Sequence, residues 1–242
     1  MELKEFEALF TQNMQQNHLD APTSQTIEAF FCFDQHLHNV NSHTNLTAIR
    51  STEEAISKHY VDSLLISQEI PIGSRVLDLG CGPGFPSIPL AIFRPDLEIV
   101  ALDSTAKKIA FVQSVKELLT LSNITPISGR AEDRELASKL GQFDAVVSRA
   151  VARMNVLCEL CLPYAKIGGV LLAMKGAKGT EELAEAARCI KTLGGAPGEL
   201  FDSILINLDG STEARTLIKV QKERKTPTEY PRNFSQIQKK PL

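Results

Sequence analysis

The sequence predicts an α/β fold of the Rossmann-like kind: a mostly parallel, seven-stranded sheet with an antiparallel last strand, preceded by helices. Three observations predict it. From residue 75 onward, short apolar runs alternate five times with helix-like segments, the pattern of βαβ units and a parallel sheet. The first run, Val76 to Leu79, passes into a glycine-rich turn, Gly80-Cys81-Gly82-Pro83-Gly84, and then into an apolar segment, Ile88 to Phe93; this order reads as buried strand, tight loop and helix. Near the other end Asp209-Gly210 separates two strand-like runs, a hairpin signal that supplies the antiparallel strand.

Taken in order, Leu3, Phe6, Leu9 and Phe10 recur at helical spacing within residues 2–17, and His18 and Pro22 end the pattern. A second helix starts at Thr23 or Ser24, with Ile27, Phe30, Phe31 and Leu37 on its apolar face, and the polar stretch Asn39 to Asn45 reads as a loop. Ser51-Thr52-Glu53-Glu54 has the form of a capping box and opens a third helix carrying Ile56, Tyr60, Leu64 and Leu65. Pro71-Ile72-Gly73 turns into the first strand, Arg75–Leu79, followed by a helix at Ser87–Phe93. Strand Glu98–Leu102 leads to helix Ala106–Leu121, strand Ile124–Ser128 to the short helix Leu136–Leu140, and strand Phe143–Ser148 to helix Met154–Tyr164. Gly168-Gly169 turns into strand Val170–Met174, helix Thr180–Thr192 follows, and Ser203–Leu208 and Arg215–Val220 form the hairpin. One domain is expected, with residues 1–70 as a helical extension too small for its own core, 71–220 as the α/β body and 221–242 as a tail.

Composition bounds the class. Hydrophobic residues make up 43% and charged residues 23%, ordinary for a globular chain. No apolar run approaches the roughly 18 residues of a membrane span, and the charged start MELKEFEALF lacks a signal-peptide core. A cytoplasmic protein without a membrane partner is expected. The five cysteines are odd in number and scattered, which favours reduced thiols. Net charge is −3, but it is unevenly spread: residues 219–242 hold seven Lys/Arg against Glu223 and Glu229, leaving a tail near +5 on a body near −8. Such a tail is a candidate phosphate-binding arm, or simply a solvated terminus.

The glycine loop has two competing readings beside that of an ordinary turn. A dinucleotide site wants G-x-G-x-x-G; here the glycines are Gly80, Gly82 and Gly84, position 85 is Phe, and Pro83 removes one N–H. Asp78 at the strand end would oppose a pyrophosphate and favour a cationic ligand. S-adenosyl-L-methionine carries an ammonium and a sulfonium and no phosphate, and its ribose needs an acidic partner, which Asp103 at the end of the next strand supplies. The alternative for Asp103 is a cap on the helix from Ala106.

In an open α/β sheet the ligand lies beyond the carboxyl ends of the strands. Those ends offer Asp78, Gly80, Gly82 and Phe85; Asp103 and Ser104; Arg130, Ala131 and Glu132; Arg149; and Lys175. Ala131 and Glu132 would lie beside an adenine, unless Glu132 is only an exposed loop acid. Arg149, directly after the apolar run FDAVVS, sits at a pocket mouth where its planar fork suits guanine O6 and N7, a phosphate or a carboxylate; the alternative is a surface ion pair with an acid such as Glu132. Arg130, Arg153 and Lys175 add positive charge to that rim. No Asn/Asp-Pro-Pro-aromatic motif follows the fourth strand, no cysteine follows a proline, and Cys158-x-x-Cys161 lacks a second pair, so amine methylation, cytosine-C5 methylation and zinc are disfavoured.

The chain resembles the bacterial small-subunit (16S) ribosomal RNA guanine-N7 methyltransferases, also called glucose-inhibited division protein B. The resemblance rests on Asn45-Leu46-Thr47-Ala48-Ile49, His59, Asp62-Ser63-Leu64, the loop from Asp78 to Pro86, Asp103-Ser104 with Lys107-Lys108, Ser148-Arg149-Ala150, Lys175-Gly176, Tyr230-Pro231-Arg232 and Pro241-Leu242. In the loop, Cys81, Phe85 and Ser87 stand where the family more often has Thr, Leu and Gly. The resemblance implies a class I S-adenosylmethionine-dependent methyltransferase that acts on 16S rRNA or the small ribosomal subunit. It implies cofactor contacts at Gly80, Phe85, the Asp103–Thr105 stretch, Ala131, Glu132 and Arg149, and RNA contacts from Arg130, Arg149 and Arg232. A monomer without a metal is expected, with Arg149 orienting the guanine. A methyltransferase for a small molecule or protein, and a non-enzymatic nucleotide-binding protein, are the alternatives.

Overall fold

The computed structural model describes all 242 residues. Seven strands form one sheet: β1 (Arg75–Leu79), β2 (Glu98–Asp103), β3 (Ile124–Ser128), β4 (Phe143–Arg149), β5 (Ala165–Lys175), β6 (Glu199–Ile206) and β7 (Thr212–Gln221). Their order is β3-β2-β1-β4-β5-β7-β6. The first five run parallel, and β7 lies antiparallel between β5 and β6, as the Asp209-Gly210 hairpin requires. The chain reverses its lateral direction between β1 and β4, which opens a crevice at their carboxyl ends.

The helices are α1 (Leu3–Gln16), α2 (Ser24–Thr44), α3 (Thr52–Ala55), α4 (Asp62–Leu64), α5 (Ser87–Phe93), α6 (Ala106–Leu118), α7 (Arg134–Leu140), α8 (Met154–Cys161), α9 (Gly179–Thr192) and α10 (Phe234–Lys239). Helix α3 is capped by Ser51, whose side chain accepts from the Glu54 N–H. It continues without a break through a π-helical stretch, Ile56–Val61, into α4. Inserted π turns re-aim side chains and recur at functional sites.

Two expectations about boundaries are corrected. Asn39 to Thr44 is helix rather than loop, because the polar pattern there serves the helix end. Buried Asn41 accepts from the Leu46 and Thr47 N–H groups, and its amide donates to Thr47 O and Ile49 O. Asn45 takes the left-handed conformation that ends the helix. Gly168-Gly169 is not a turn before β5 but an irregularity inside it. A side chain on Gly169 would meet Asp144 O at 2.8 Å, so only glycine lets β5 approach β4 there.

Both faces of the sheet are covered, which explains why its central strands read as continuous apolar runs. One core holds Phe6, Phe10, Phe30, Phe33 and Tyr60 from the N-terminal helices together with Val76, Ile88, Phe111 and Val147. The rings pack consecutively, Phe10 on Phe30, Phe30 on Tyr60 and Tyr60 beside Phe33, and buried Asp34 accepts from Tyr60 Oη at 2.8 Å and Thr52 Oγ1 at 2.8 Å. The other core packs Leu77, Val146, Leu171 and Ile218 against α8, α9 and α10.

The tail packs on that second core rather than extending from it, while its Arg224, Lys225, Lys239 and Lys240 stay exposed. Ile237 is buried, and Tyr230, Phe234 and Leu242 pack against the cluster. Lys222 is buried and donates to Leu162 O, Leu193 O and Thr226 Oγ1; burial pushes its ammonium down to about 8. Arg232, expected to contact RNA, instead grips fully buried Glu159 from α8 through Nε at 2.8 Å, Nη2 at 2.5 Å and its own backbone N–H at 2.9 Å. Removing one partner of such a pair leaves a buried charge alone. Arg232→Ala is expected to lower the unfolding free energy by about 3 kcal/mol, read from urea denaturation curves of the two proteins with the slope unchanged.

Candidate active site

Two clefts open at the carboxyl ends of the strands, and one segment walls both. The first, about 340 Å³, is lined by Gly80, Asp103, Ser104, Thr105, Arg130, Ala131 and Glu132, together with Lys108, Leu160 and Phe234. The second, about 530 Å³, is lined by Lys58, His59, Asp62, Arg149, Lys175, Glu182 and Arg215. Ala150 and Val151, the residues that follow β4, line both.

The first cleft is built by the glycine loop and the end of β2. Gly80, Gly82 and Gly84 all have positive φ (77°, 57° and 97°), which glycine adopts without strain. The loop spends its N–H groups internally: Gly80 and Cys81 donate to Leu102 O at 2.8 and 3.1 Å, Gly84 and Phe85 donate to Cys81 O, and Gly82 donates to Asp103 Oδ2 at 2.9 Å. Few N–H groups remain for a pyrophosphate. Asp103 Oδ1 takes the Thr105 N–H at 2.7 Å. Each of its oxygens keeps a second lone pair, so it can still accept from a diol. Nothing lies within 4 Å of where a side chain on Gly82 would sit, whereas one on Gly80 would meet Val151 Cγ2 at 2.4 Å. Val151 therefore rests on the face of Gly80, and Ala150 before it is held at φ 55°. Arg130 stands on the rim, 67% exposed, with Glu132 at 3.5 Å.

The second cleft centres on Asp62. Its Oδ2 accepts from Arg149 Nη1 at 2.9 Å and its Oδ1 from Arg215 Nε at 2.6 Å. Arg149 Nη1 also donates to Lys58 O at 2.9 Å, and its guanidinium lies 5.3 Å from the centre of the Phe85 ring. His59 stacks on Phe85 with ring centres 4.2 Å apart. Burial, reinforced by the Arg149 charge, pushes the His59 imidazole down to about 3, so it is neutral. Arg149 Nη2 reaches His59 Nδ1 at 3.3 Å, and Nε2 meets Thr47 Oγ1 at 2.7 Å; since the guanidinium can only donate, the network assigns the ring proton to Nε2.

Several expected site residues stand elsewhere. Arg149 walls the second cleft rather than the cofactor-side one, and its acidic partner is Asp62, not Glu132. Phe85 is buried beneath His59 and touches neither cleft. Gly82 acts through its N–H on Asp103. Lys175 is no free cation: its ammonium pairs with Glu182 at 2.8 Å and donates to Ala152 O. Asp62, Lys58, Arg215, Val151 and Phe234 line the clefts without having been expected there from the sequence. Two signals for Asp62 were available, an acid inside the apolar helix pattern Ile56 to Leu64 and its place in the Asp62-Ser63-Leu64 segment of the family resemblance; the approach of β7 to the π-helical stretch, which brings Arg215 to it, has none.

Residues 26–200 match the family model described as GidB, rRNA small subunit methyltransferase G. The chain is 42% identical over 220 residues to the ribosomal RNA small subunit methyltransferase G of Lactobacillus delbrueckii subsp. bulgaricus, covering 89% of this chain and 91% of that one. It is 44% identical over 221 residues to the protein of that name from Lachnoclostridium phytofermentans, covering 89% of each. Among solved structures, it superposes on an O-methyltransferase from Bacillus cereus in complex with SAH with a TM-score of 0.57 at 17% identity, covering 91% of this chain and 100% of that one. It superposes on Trm5b from Pyrococcus abyssi with a TM-score of 0.52 at 18% identity, covering 71% and 50%. These structural likenesses bear on the fold, which is that of the class I methyltransferases.

Asp78, at the end of β1, is fully buried and does not present a fixed charge to either cleft, which corrects its expected role. Its Oδ2 accepts from the Ser87 N–H at 3.0 Å, at the start of α5, and its Oδ1 has no partner. Burial raises its carboxyl to about 7 against an ordinary value of 3.8, with the Ser87 hydrogen bond opposing. A carboxyl raised in the folded state stabilises at low pH relative to high pH, because above 3.8 the unfolded chain ionises while the folded one resists until about 7. Relative to Asp78→Asn, the unaltered protein is expected to lose stability as pH rises from about 4 to about 7 and to level off above, measured by denaturation of both proteins across that range; parallel curves would place the ionised form in the fold.

Proposed function

The chain belongs to the ribosomal RNA small subunit methyltransferase G family, and on that premise we propose that it transfers the methyl group of S-adenosyl-L-methionine to N7 of a guanine in 16S rRNA. The observation that carries this reading is the pair of clefts that share Ala150 and Val151 as a common wall. A donor in one and an acceptor in the other would meet across that wall.

The residues of the first cleft suit the proposed cofactor. The open face of Gly82 and the acceptor capacity left on Asp103 match a ligand that carries a diol and passes close to the backbone. Gly80 lines the cleft and the open face of Gly82 would let the cofactor's chain lie close to the backbone, Asp103 would take the ribose hydroxyls with Ser104 and Thr105 beside them, and Ala131 and Glu132 would flank the adenine. When bound, S-adenosyl-L-methionine supplies an electrophilic methyl group on a sulfonium.

Guanine N7 carries an in-plane lone pair and no proton, so the protein need not supply a base. Neutral His59, held between Phe85 and Thr47, fits a structural part in that scheme. What remains is alignment. Arg149, anchored by Asp62 and Lys58 O, is a rigid donor at the wall of the second cleft and is our candidate for orienting the base. Arg215 and Lys58 raise the positive potential there, and Asp62 and Glu182 keep it from being an unpaired cluster. Exposed Arg130 on the rim and the exposed tail cations Arg224, Lys225, Lys239 and Lys240 are the candidates for phosphate contacts.

Two measurements test this. Mass spectrometry of 16S rRNA from cells with and without the gene is expected to show one N7-methylguanine that disappears with the gene and returns when the purified protein and S-adenosyl-L-methionine are added. Arg149→Ala is expected to lower kcat/KM for RNA by about 100-fold while calorimetric affinity for S-adenosyl-L-methionine changes less than about threefold, with Asp62→Asn acting in the same direction by a smaller factor. Equal losses in both measurements would return Arg149 to the cofactor side.

A further inference from the structure

A third recess, about 130 Å³, adjoins the second cleft and shares Asp62, Met174, Lys175 and Arg215 with it. Its floor is the outer part of the hairpin. In the β6–β7 register Phe201 lies opposite Leu217 and Ser203 opposite Arg215, so these side chains stand on one face of the sheet. Leu65 and Ile66 close the other side. Phe201 is 41% exposed on the edge strand β6, with Glu199 and Ser203 as its neighbours along the same face. The core leaves part of its ring bare, at a recess continuous with a cleft that has charged walls.

The rim charges are paired within the protein. Lys219 Nζ, 5.8 Å from the Phe201 ring centre, is held by Glu69 at 2.9 Å. Arg215 is held by Asp62 at 2.6 Å, and Lys175 by Glu182 at 2.8 Å. No unpaired cation is left to draw a phosphate, and no unpaired acid to draw an ammonium. The recess therefore suits a flat, uncharged group with apolar faces and polar edges, continuous with whatever fills the second cleft. A nucleobase has that character, and stacking on an aromatic ring is tolerant of its identity.

We propose that this recess is a stacking subsite for an unpaired base of the substrate RNA that neighbours the methylated guanine. This rests on the reading of the second cleft as the guanine cleft. In that arrangement Phe201 faces the base, Ser203 offers a hydroxyl at its edge, and the Asp62–Arg215 pair separates the two bases.

The chain contains no tryptophan, so Phe201→Trp places a single fluorophore in the recess. With 16S rRNA from cells lacking the methyltransferase, its emission is expected to be quenched as RNA binding saturates. Phe201→Ala is expected to raise the Kd for that RNA by about tenfold to a hundredfold, with calorimetric affinity for S-adenosyl-L-methionine unchanged and the protein still folded at the assay temperature. Unquenched tryptophan, or Phe201→Ala binding within about twofold of the unaltered protein, overturns the subsite while leaving the methyl-transfer reading intact, provided the unaltered protein methylates the same RNA. Absence of that methylation overturns the function itself, and the subsite with it.

Discussion

Asp62 joins parts of the molecule that are far apart in the chain. It lies at the end of the π-helical stretch and takes Arg149 from the end of β4 with one oxygen and Arg215 from β7 with the other. The helical extension and the far half of the sheet therefore meet at one carboxylate. Two guanidiniums placed this close would repel each other without it, and a carboxylate buried this deeply would be costly without them. The geometry of the second cleft, including the fixed aim of Arg149, follows from this triad and from the aromatic layer beneath it, where His59 lies on Phe85.

The glycine loop shows how similar sequence patterns serve different ligands. Its N–H groups are turned inward, onto Leu102 O, Cys81 O and the Asp103 carboxylate. A pyrophosphate cradle needs such groups turned outward. What the loop offers instead is bare backbone at Gly82 and a carboxylate already set by Gly82 and Thr105. Val151 leans on Gly80 from the neighbouring strand end, so the segment that divides the clefts also packs against the loop that builds the first.

Charge separation along the chain was only a partial guide to surface charge: Arg224, Lys225, Lys239 and Lys240 are exposed, but other tail cations are used inside the fold. Residues 219–242 are strongly basic, but Lys222 serves buried carbonyls, Arg232 neutralises Glu159, and Phe234 lines the first cleft. The tail closes the fold beside the site. A count of charges carries no record of which of them will find buried partners; that depends on contacts such as Arg232 to Glu159, 73 residues apart.

Local physics was enough to determine the architecture from the sequence alone. Short apolar runs and helical apolar spacing located the strands and most helices, although the edge strand, expected at Ser203–Leu208, runs from Glu199 to Ile206; the Asp209-Gly210 turn imposed the antiparallel strand, and the spacing from Gly80 to Asp103 brought the loop and its carboxylate to adjacent strand ends. These features depend on residues near one another in the chain, or on the fixed rule that ligands lie at carboxyl ends of parallel strands. Only the tertiary structure decided which side of the wall Arg149 faces, that Asp62 is its partner, that Phe85 and Asp78 are buried, and that Phe201 is left partly bare. Each is an outcome of long-range packing: a side chain's environment is set by elements the local pattern does not encode, and a buried charge is satisfied by whichever partner the fold carries to it.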